Sequence, residues 1–211
     1  LRVSGAARIG NRTLGKCVVH YAPEWDSNRS PQHTRLPEKE YKMGGRPQLK
    51  GTIRKPRVSD VAGIKELIDG AVKQGALLPR TTVELYENVR DFHVYVEEGD
   101  VCGCCALHID TGDLAEIRSL VVRESHQRCG IGIALLDACI EEARSLDVGR
   151  IYALTRVPEF FAKQGFYEID KHALPNKVFR DCVRCPMFPD CDETAMMRIV
   201  QGTFENTAAT E

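Results

Sequence analysis

The hexapeptide Gln127-Arg128-Cys129-Gly130-Ile131-Gly132 places a cation and two glycines where an apolar stretch ending at Val122 gives way to an amphipathic segment. A helix beginning near Gly130 would aim unpaired backbone N–H groups and the positive end of its dipole at one spot. Such a spot binds phosphate. Glycine at 130 and 132 would let the backbone approach the oxygens without an intervening side chain. Two well-known phosphate loops do not fit the residues. A nucleotide P-loop needs Lys and then Ser or Thr after its last glycine, where Ile133 and Ala134 stand. A dinucleotide fingerprint needs glycine where Leu135 stands and an acid where Thr155 ends the next strand.

Two other groupings could do chemistry. In "AEIRSLVV" the two-residue period of a strand puts Glu116, Arg118, Leu120 and Val122 on one face. The acid and the arginine are then either a reactive pair or a solvated ion pair. In "DCVRCPMFPDC", Cys182, Cys185 and Cys191 could hold zinc if His172 or Asp190 completed four ligands, but the second cysteine pair of a zinc ribbon is missing. Packed thiols, with no metal, are the expectation there. The cysteines of "CGCC" at 102–105 lie among valine and leucine and are expected to be small core residues.

The elements that must position these groups follow from local pattern. "GTIRKPR" reads as a first strand, and in "SDVAGIKELIDGAVKQG" Val61, Ile64, Leu67, Ile68, Ala71 and Val72 share one side of a helix. Thr81 and Glu84 form a Thr-x-x-Glu capping box, so a second short helix starts there and residues 77–80 form the loop before it. Two strands about a Glu-Gly-Asp turn, a fourth strand in "DLAEIRSLVV" and a helix of roughly four turns come next. "GRIYALT", "PEFFAKQ", "GFYEI" and "ETAMMRIV" read as strand, short helix, strand and strand. This order predicts an α/β domain over residues 51–200, with a mixed, mostly antiparallel central sheet flanked by helices.

Composition bounds the rest. The net charge of −1 hides a split: residues 1–50 hold 10 Lys and Arg against 4 Asp and Glu, and the remainder is −7. That basic stretch is rich in Pro, Gly and Asn without an apolar period, so a disordered arm is expected over 1–50 and a flexible tail over 201–211. Its cations are spread out and not interleaved with aromatics, which argues against a nucleic-acid partner. The first twenty residues are acid-free, as transit peptides are, but poor in Arg and Ser. No run of 18 apolar residues occurs, so no membrane association is expected. Nine cysteines without a secretory leader point to reduced thiols in a cytoplasmic setting.

Taken in this order of elements, Gln127 to Gly132 resembles the coenzyme A pyrophosphate loop of the GNAT acetyltransferase superfamily position by position, and residues 51–200 follow that superfamily's layout. The resemblance implies transfer of an acetyl group from acetyl-CoA, a co-substrate rather than a tightly bound cofactor, to an amine. It implies that residues 127–132, with Ile133, hold the diphosphate. It also implies that the fourth strand splays from the fifth, so that the backbone of Leu120, Val121 and Val122 holds the pantetheine arm and the thioester carbonyl. A backbone N–H fixed on the developing oxyanion is a low-cost stabiliser, and an ammonium cannot attack until a base removes its proton. Glu116 is the candidate base. For the leaving thiolate, many relatives place a tyrosine where this chain has Phe161; Tyr152, Tyr167 and water remain as alternatives.

The stretches "LLPRT", "AEIRSLVV", "LTRVPEFFAKQGF" and Asp-Cys-x-x-Cys-Pro together resemble the short, single-domain N-acetylglutamate synthases of bacteria, the first enzymes of arginine biosynthesis. That likeness implies small-molecule substrates, acetyl-CoA and L-glutamate, and is compatible with a homodimer. A dicarboxylate needs cations at both ends, and Arg80, Arg118 and Arg156 are the candidates. The rival acceptors are another small amine or a protein N-terminus. The rival of another class is a non-catalytic acyl-CoA sensor reading redox state or metal through its cysteines. The segment from His172 to Cys191 would lie beside the acceptor pocket as a lid.

Overall fold

The computed structural model describes residues 49–174, 177, 181–185, 187, 188 and 190–201. The expected arm therefore lies outside the described residues except for Leu49 and Lys50, and the expected tail except for Gln201. Seven strands form one sheet: β1 (Thr52–Arg54), β2 (Phe92–Glu97), β3 (Asp100–Thr111), β4 (Leu114–Val122), β5 (Arg150–Thr155), β6 (Tyr167–Ile169) and β7 (Thr194–Ile199). Four α-helices lie wholly within the described residues: α1 (Val61–Lys73), α2 (Thr82–Glu87), α3 (Ile131–Ser145) and α4 (Pro158–Lys163). The sheet order is β1-β2-β3-β4-β5-β7-β6, with β4 and β5 the one parallel pair. This is the mixed, mostly antiparallel sheet that the pattern predicts. The insertion of β7 between β5 and β6 is a long-range pairing that no local signal announces.

The period of α1 does what was expected of it. Val61, Ile64, Leu67 and Ile68 are buried against Phe92, Val94, Cys104 and Ala106 of the sheet, and Ala71 is buried as well. On the opposite face, Ile131, Leu135, Leu136, Cys139 and Ile140 of α3 pack on Leu107, Ala115, Ile117 and Ile151. Each Val, Leu, Ile or Phe side chain among them contributes about 1.5–3 kcal/mol of burial. Cys102, Cys104 and Cys105 are buried core residues, as expected of "CGCC". Glu98 and Gly99 both take positive φ, 53° and 92°, the conformation whose twist suits a two-residue hairpin between β2 and β3.

The capping box forms as read. The Thr81 hydroxyl accepts from the Glu84 N–H at 3.2 Å, and the Glu84 carboxylate accepts from the Thr81 N–H at 2.6 Å. Thr81→Ala is expected to lower stability by about 1 kcal/mol, measured as the urea midpoint. The bonds from the Thr81 backbone and then its hydroxyl hold the Glu84 carboxyl below its ordinary pKa. Because the folded value is depressed, that stabilisation is present above the unfolded value of roughly 4.3 and is lost as pH falls through the folded one.

Two departures from ideal sheet geometry set up the site. Parallel pairing of β4 with β5 stops after Leu114–Arg150, Ala115–Ile151 and Glu116–Tyr152, so from Ile117 onward β4 has no β5 partner and the sheet forks. In addition, β4 slips register against β3 between Arg118–Ala106 and Val121–Cys104, a bulge at which Ser119 takes φ 50°. The bulge corrects the expectation that Glu116, Arg118, Leu120 and Val122 share a face. Glu116 and Arg118 face the α1 side and are joined there by Val121, whereas Leu120 and Val122 pack with the α3 cluster.

Candidate active site

The glycine loop closes the fork from below. Arg128 and Gly130 take left-handed φ of 61° and 83°, and Gly130 caps α3 without any side-chain hydrogen bond. Among the described residues the amides of 128–133 have no backbone acceptor, so a run of N–H groups stands open at the start of a 15-residue helix. Gln127 is exposed, and its side-chain amide donates to the Val122 carbonyl at 3.0 Å and ties the loop to the end of β4. The two glycines serve different purposes. Gly130 is needed for its backbone conformation. A Cβ at Gly132 would meet nothing closer than Val122 Cγ2 at 3.8 Å, so only a ligand would exclude a side chain there. Gly132→Val is expected to leave stability within about 1 kcal/mol while weakening acetyl-CoA binding by about tenfold or more, measured by melting and calorimetry on one preparation.

At the crotch of the fork, Glu116 is 4% exposed and surrounded by donors. Arg118 Nε reaches Glu116 Oε2 at 2.5 Å, and Lys177 Nζ reaches Oε1 at 2.8 Å. The Tyr152 hydroxyl lies 3.3 Å from the same carboxylate and 3.2 Å from Asp110 Oδ2, one proton between two acceptors. Burial first, and then the carboxylates of Glu116 and Asp110, push the Tyr152 pKa well above its ordinary value. Arg118 also donates to Asp181 at 3.0 Å, and Lys177 donates to the same Asp181 oxygen at 3.1 Å. The bland alternative for Glu116 and Arg118, a solvated surface pair, does not describe two side chains 5% and 14% exposed.

Arg80, ahead of the capping box, lines a small pocket with Arg118, Ser119, His108 and Asp91 over Phe92 and Ala106. His108 Nδ1 and Asp91 Oδ2 are 2.7 Å apart and satisfy one another. Arg80 differs. It is half-buried and hydrogen-bonds to no carboxylate among the described residues. Burial lowers its pKa, and the neighbouring Arg118 lowers it further. Two guanidinium groups at one pocket make a place for an anion.

The remaining candidates fall elsewhere. Arg156 hydrogen-bonds to both oxygens of Asp192 at 2.8 and 3.0 Å and to the Gly75 carbonyl, and it is not among the residues lining the pocket. Its pKa is raised, mainly by the bond to Asp192. Phe161 is a core residue stacked edge-on with Phe160 and Phe166. Tyr167 sits half exposed on the edge strand β6. Cys182, Cys185 and Cys191 are partly exposed, and among the described residues no group of three His, Cys, Asp or Glu side chains converges to hold a metal. No described helix is long and apolar enough to cross a membrane. Lys177 and Asp181 were not candidates from sequence; their only local signal is an opposite-charge pair four residues apart.

Residues 69–169 match the acetyltransferase (GNAT) family. The chain is 37% identical over 146 residues to an uncharacterized N-acetyltransferase of Chlorobaculum tepidum, covering 69% of this chain and 94% of that one. It is 39% identical over 135 residues to the amino-acid acetyltransferase of Mycobacterium tuberculosis, covering 63% and 77%. A crystal structure from Mycobacterium tuberculosis in complex with CoA aligns at 32% identity with a TM-score of 0.61, covering 70% of this chain and 98% of that one. The N-acetylglutamate synthase of Neisseria gonorrhoeae, complexed with coenzyme A and N-acetyl-glutamate, aligns at 27% identity with a TM-score of 0.65, covering 74% of this chain and 36% of that one. The open amides at α3, the forked sheet and these relatives lead to one conclusion: the chain belongs to the GNAT family and is an acetyltransferase that takes acetyl-CoA as co-substrate.

Proposed function

We propose that the protein acetylates the α-amino group of L-glutamate, the opening reaction of arginine biosynthesis, in the cytoplasm. One observation carries this reading: Arg80, a half-buried cation that hydrogen-bonds to no carboxylate among the described residues, lines the same pocket as Arg118. An acceptor with two carboxylates can pair with Arg80 and, in place of Asp181, with Arg118, each pairing worth more than a neutral hydrogen bond. A polycationic acceptor would be repelled by them. The relatives named for amino-acid acetyltransfer, and the neighbour complexed with N-acetyl-glutamate, support the same acceptor.

Acetyl-CoA supplies an acetyl group activated as a thioester. The amides of 128–133 at the mouth of α3 receive the diphosphate, with residues 127–133 forming its loop. The unpaired edge of β4, over Leu120, Val121 and Val122, offers backbone groups to the pantetheine arm and an N–H to the thioester oxygen as charge develops on it. Glu116 accepts the proton that the α-ammonium must lose before it attacks. Arg118 orients Glu116 and, with Arg80, holds the carboxylates of the acceptor. Tyr152 is a poor acid for the leaving thiolate because burial and two carboxylates hold its proton. A thiol of ordinary pKa, about 8.5, leaves readily enough with water as the proton source.

The test is release of free thiol from acetyl-CoA across a panel of amines. L-glutamate should be the preferred acceptor. Preference for an aminoglycoside-like amine or a protein N-terminus would replace this reading, and binding of acetyl-CoA without thiol release would favour a sensor.

A further inference from the structure

Glu116, Arg118, Asp181 and Lys177 form a closed ring of alternating charge. Its sides are Glu116 to Lys177 at 2.8 Å, Lys177 to Asp181 at 3.1 Å, Asp181 to Arg118 at 3.0 Å and Arg118 to Glu116 at 2.5 Å. Glu116 and Arg118 belong to the catalytic strand, whereas Lys177 and Asp181 come from the connection between β6 and β7. We propose that Lys177 and Asp181 are a built-in occupant of the acceptor site: their ammonium and carboxylate stand where the α-ammonium and α-carboxylate of a free amino acid bind, and the acceptor enters by displacing them. The proposal rests on the amino-acid reading above.

The geometry fits a zwitterion. In an α-amino acid, covalent geometry sets the nitrogen roughly 2.7–3.6 Å from the carboxylate oxygens. Lys177 Nζ and Asp181 Oδ2 are 3.1 Å apart and present the same two charges to the same two partners, ammonium to Glu116 and carboxylate to Arg118. Lys177 Nζ touches both oxygens of Glu116, at 2.8 and 3.0 Å, so the base is covered while the pair is in place. Asp181, at 34% exposure, sits at the rim, where a displaced carboxylate regains water at little cost.

A consequence for selectivity follows. The ring engages Glu116 and Arg118 but makes no hydrogen bond to Arg80, and Arg80 is the anchor available to a side-chain carboxylate. A neutral amino acid that displaces Lys177 and Asp181 exchanges like for like and gains nothing further. A dicarboxylate makes the same exchange and adds Arg80. The preference for a dicarboxylate therefore comes from Arg80, while the pair lowers apparent affinity for every acceptor by the same factor, the fraction of molecules in which the site is open.

The experiment compares wild type with Lys177→Met, Asp181→Asn and the double variant at saturating acetyl-CoA. It measures KM and kcat for L-glutamate and L-alanine, and the Kd of L-glutamate by calorimetry on the CoA complex. The expected result is a fall of about threefold or more in KM and Kd for glutamate in each variant, with kcat/KM for alanine and for glutamate rising by about the same factor. Unchanged or raised KM for glutamate would overturn the proposal, as would a fall in kcat alone, which marks Lys177 as a support for Glu116. Asp181→Asn preserves shape and decides the matter by itself should Lys177→Met fail to fold. Wild-type thiol release with glutamate tests the underlying reading separately: its absence removes both, whereas active wild type with unaltered variants removes only the occupant.

Discussion

Replacing Glu116 by Gln lowers kcat for glutamate by about 10²–10⁴-fold, the range for loss of a positioned general base, while acetyl-CoA affinity stays within about twofold. The amide keeps the size of the side chain and its acceptor oxygen for Arg118, so the fork between β4 and β5 has no reason to change. What is lost is the ability to take a proton from an ammonium. An unaltered kcat would remove Glu116 from the reaction. Contact alone does not make Glu116 a base, because its bonds to Arg118 and Lys177 could serve structure only. The amide variant separates the two roles.

Arg80→Ala raises KM for glutamate by about 30-fold or more, since removing one partner of a desolvated charge pair costs about 2–5 kcal/mol at roughly 1.4 kcal/mol per factor of ten. KM for acetyl-CoA should move little, because Arg80 lies on the α1 side of the sheet and the diphosphate loop opens at α3. Stability is an internal control here. Burial and the neighbouring Arg118 disfavour the charge of Arg80 by more than Glu116, Glu84 and Asp181 favour it, so without substrate the arginine is a cost to the fold. The alanine variant should therefore melt no lower than wild type. Equal rises in both Michaelis constants, or a large loss of stability, would contradict its assignment to the acceptor.

The parts of this site that were legible in the sequence are those built from neighbours along the chain. A capping box spans four residues, and both of its hydrogen bonds formed between Thr81 and Glu84. The run from Gln127 to Gly132 likewise encodes its own turn, because the left-handed conformation at Gly130 and the helix that follows are local. The strand alternation in "EIRSLVV" misled at one residue. Bulges often carry glycine, but this one sits at Ser119, and nothing in its chemistry marks a positive φ; the extra residue moves Leu120 and Val122 to the other face. Arg156 looked available because its partner, Asp192, is 36 positions away. Lys177 was missed for a similar reason: its contact with Glu116 spans 61 residues and depends on how the β6–β7 connection returns to the sheet. In short, local hydrogen bonding was readable, and charge pairing across the sheet needed the fold.

The fork itself joins the two halves of the function. Where β4 parts from β5, the backbone from Ile117 onward lacks a partner on its β5 side, and the last residues paired between these two strands are Glu116 and Tyr152. The fold thus sets the base beside the point at which the unpaired edge begins. The positive φ at Ser119 costs about 1–3 kcal/mol, and its effect is to turn the strand just where acceptor and thioester must meet.

Calorimetric titration of L-glutamate and, separately, L-glutamine into the CoA-loaded protein tests the central claim most directly. The two ligands have nearly the same shape and differ in the charge offered to Arg80. The account predicts tighter binding of glutamate by about tenfold or more, an advantage that collapses in Arg80→Ala. Equal affinity for the two, or tighter binding of glutamine, would contradict it.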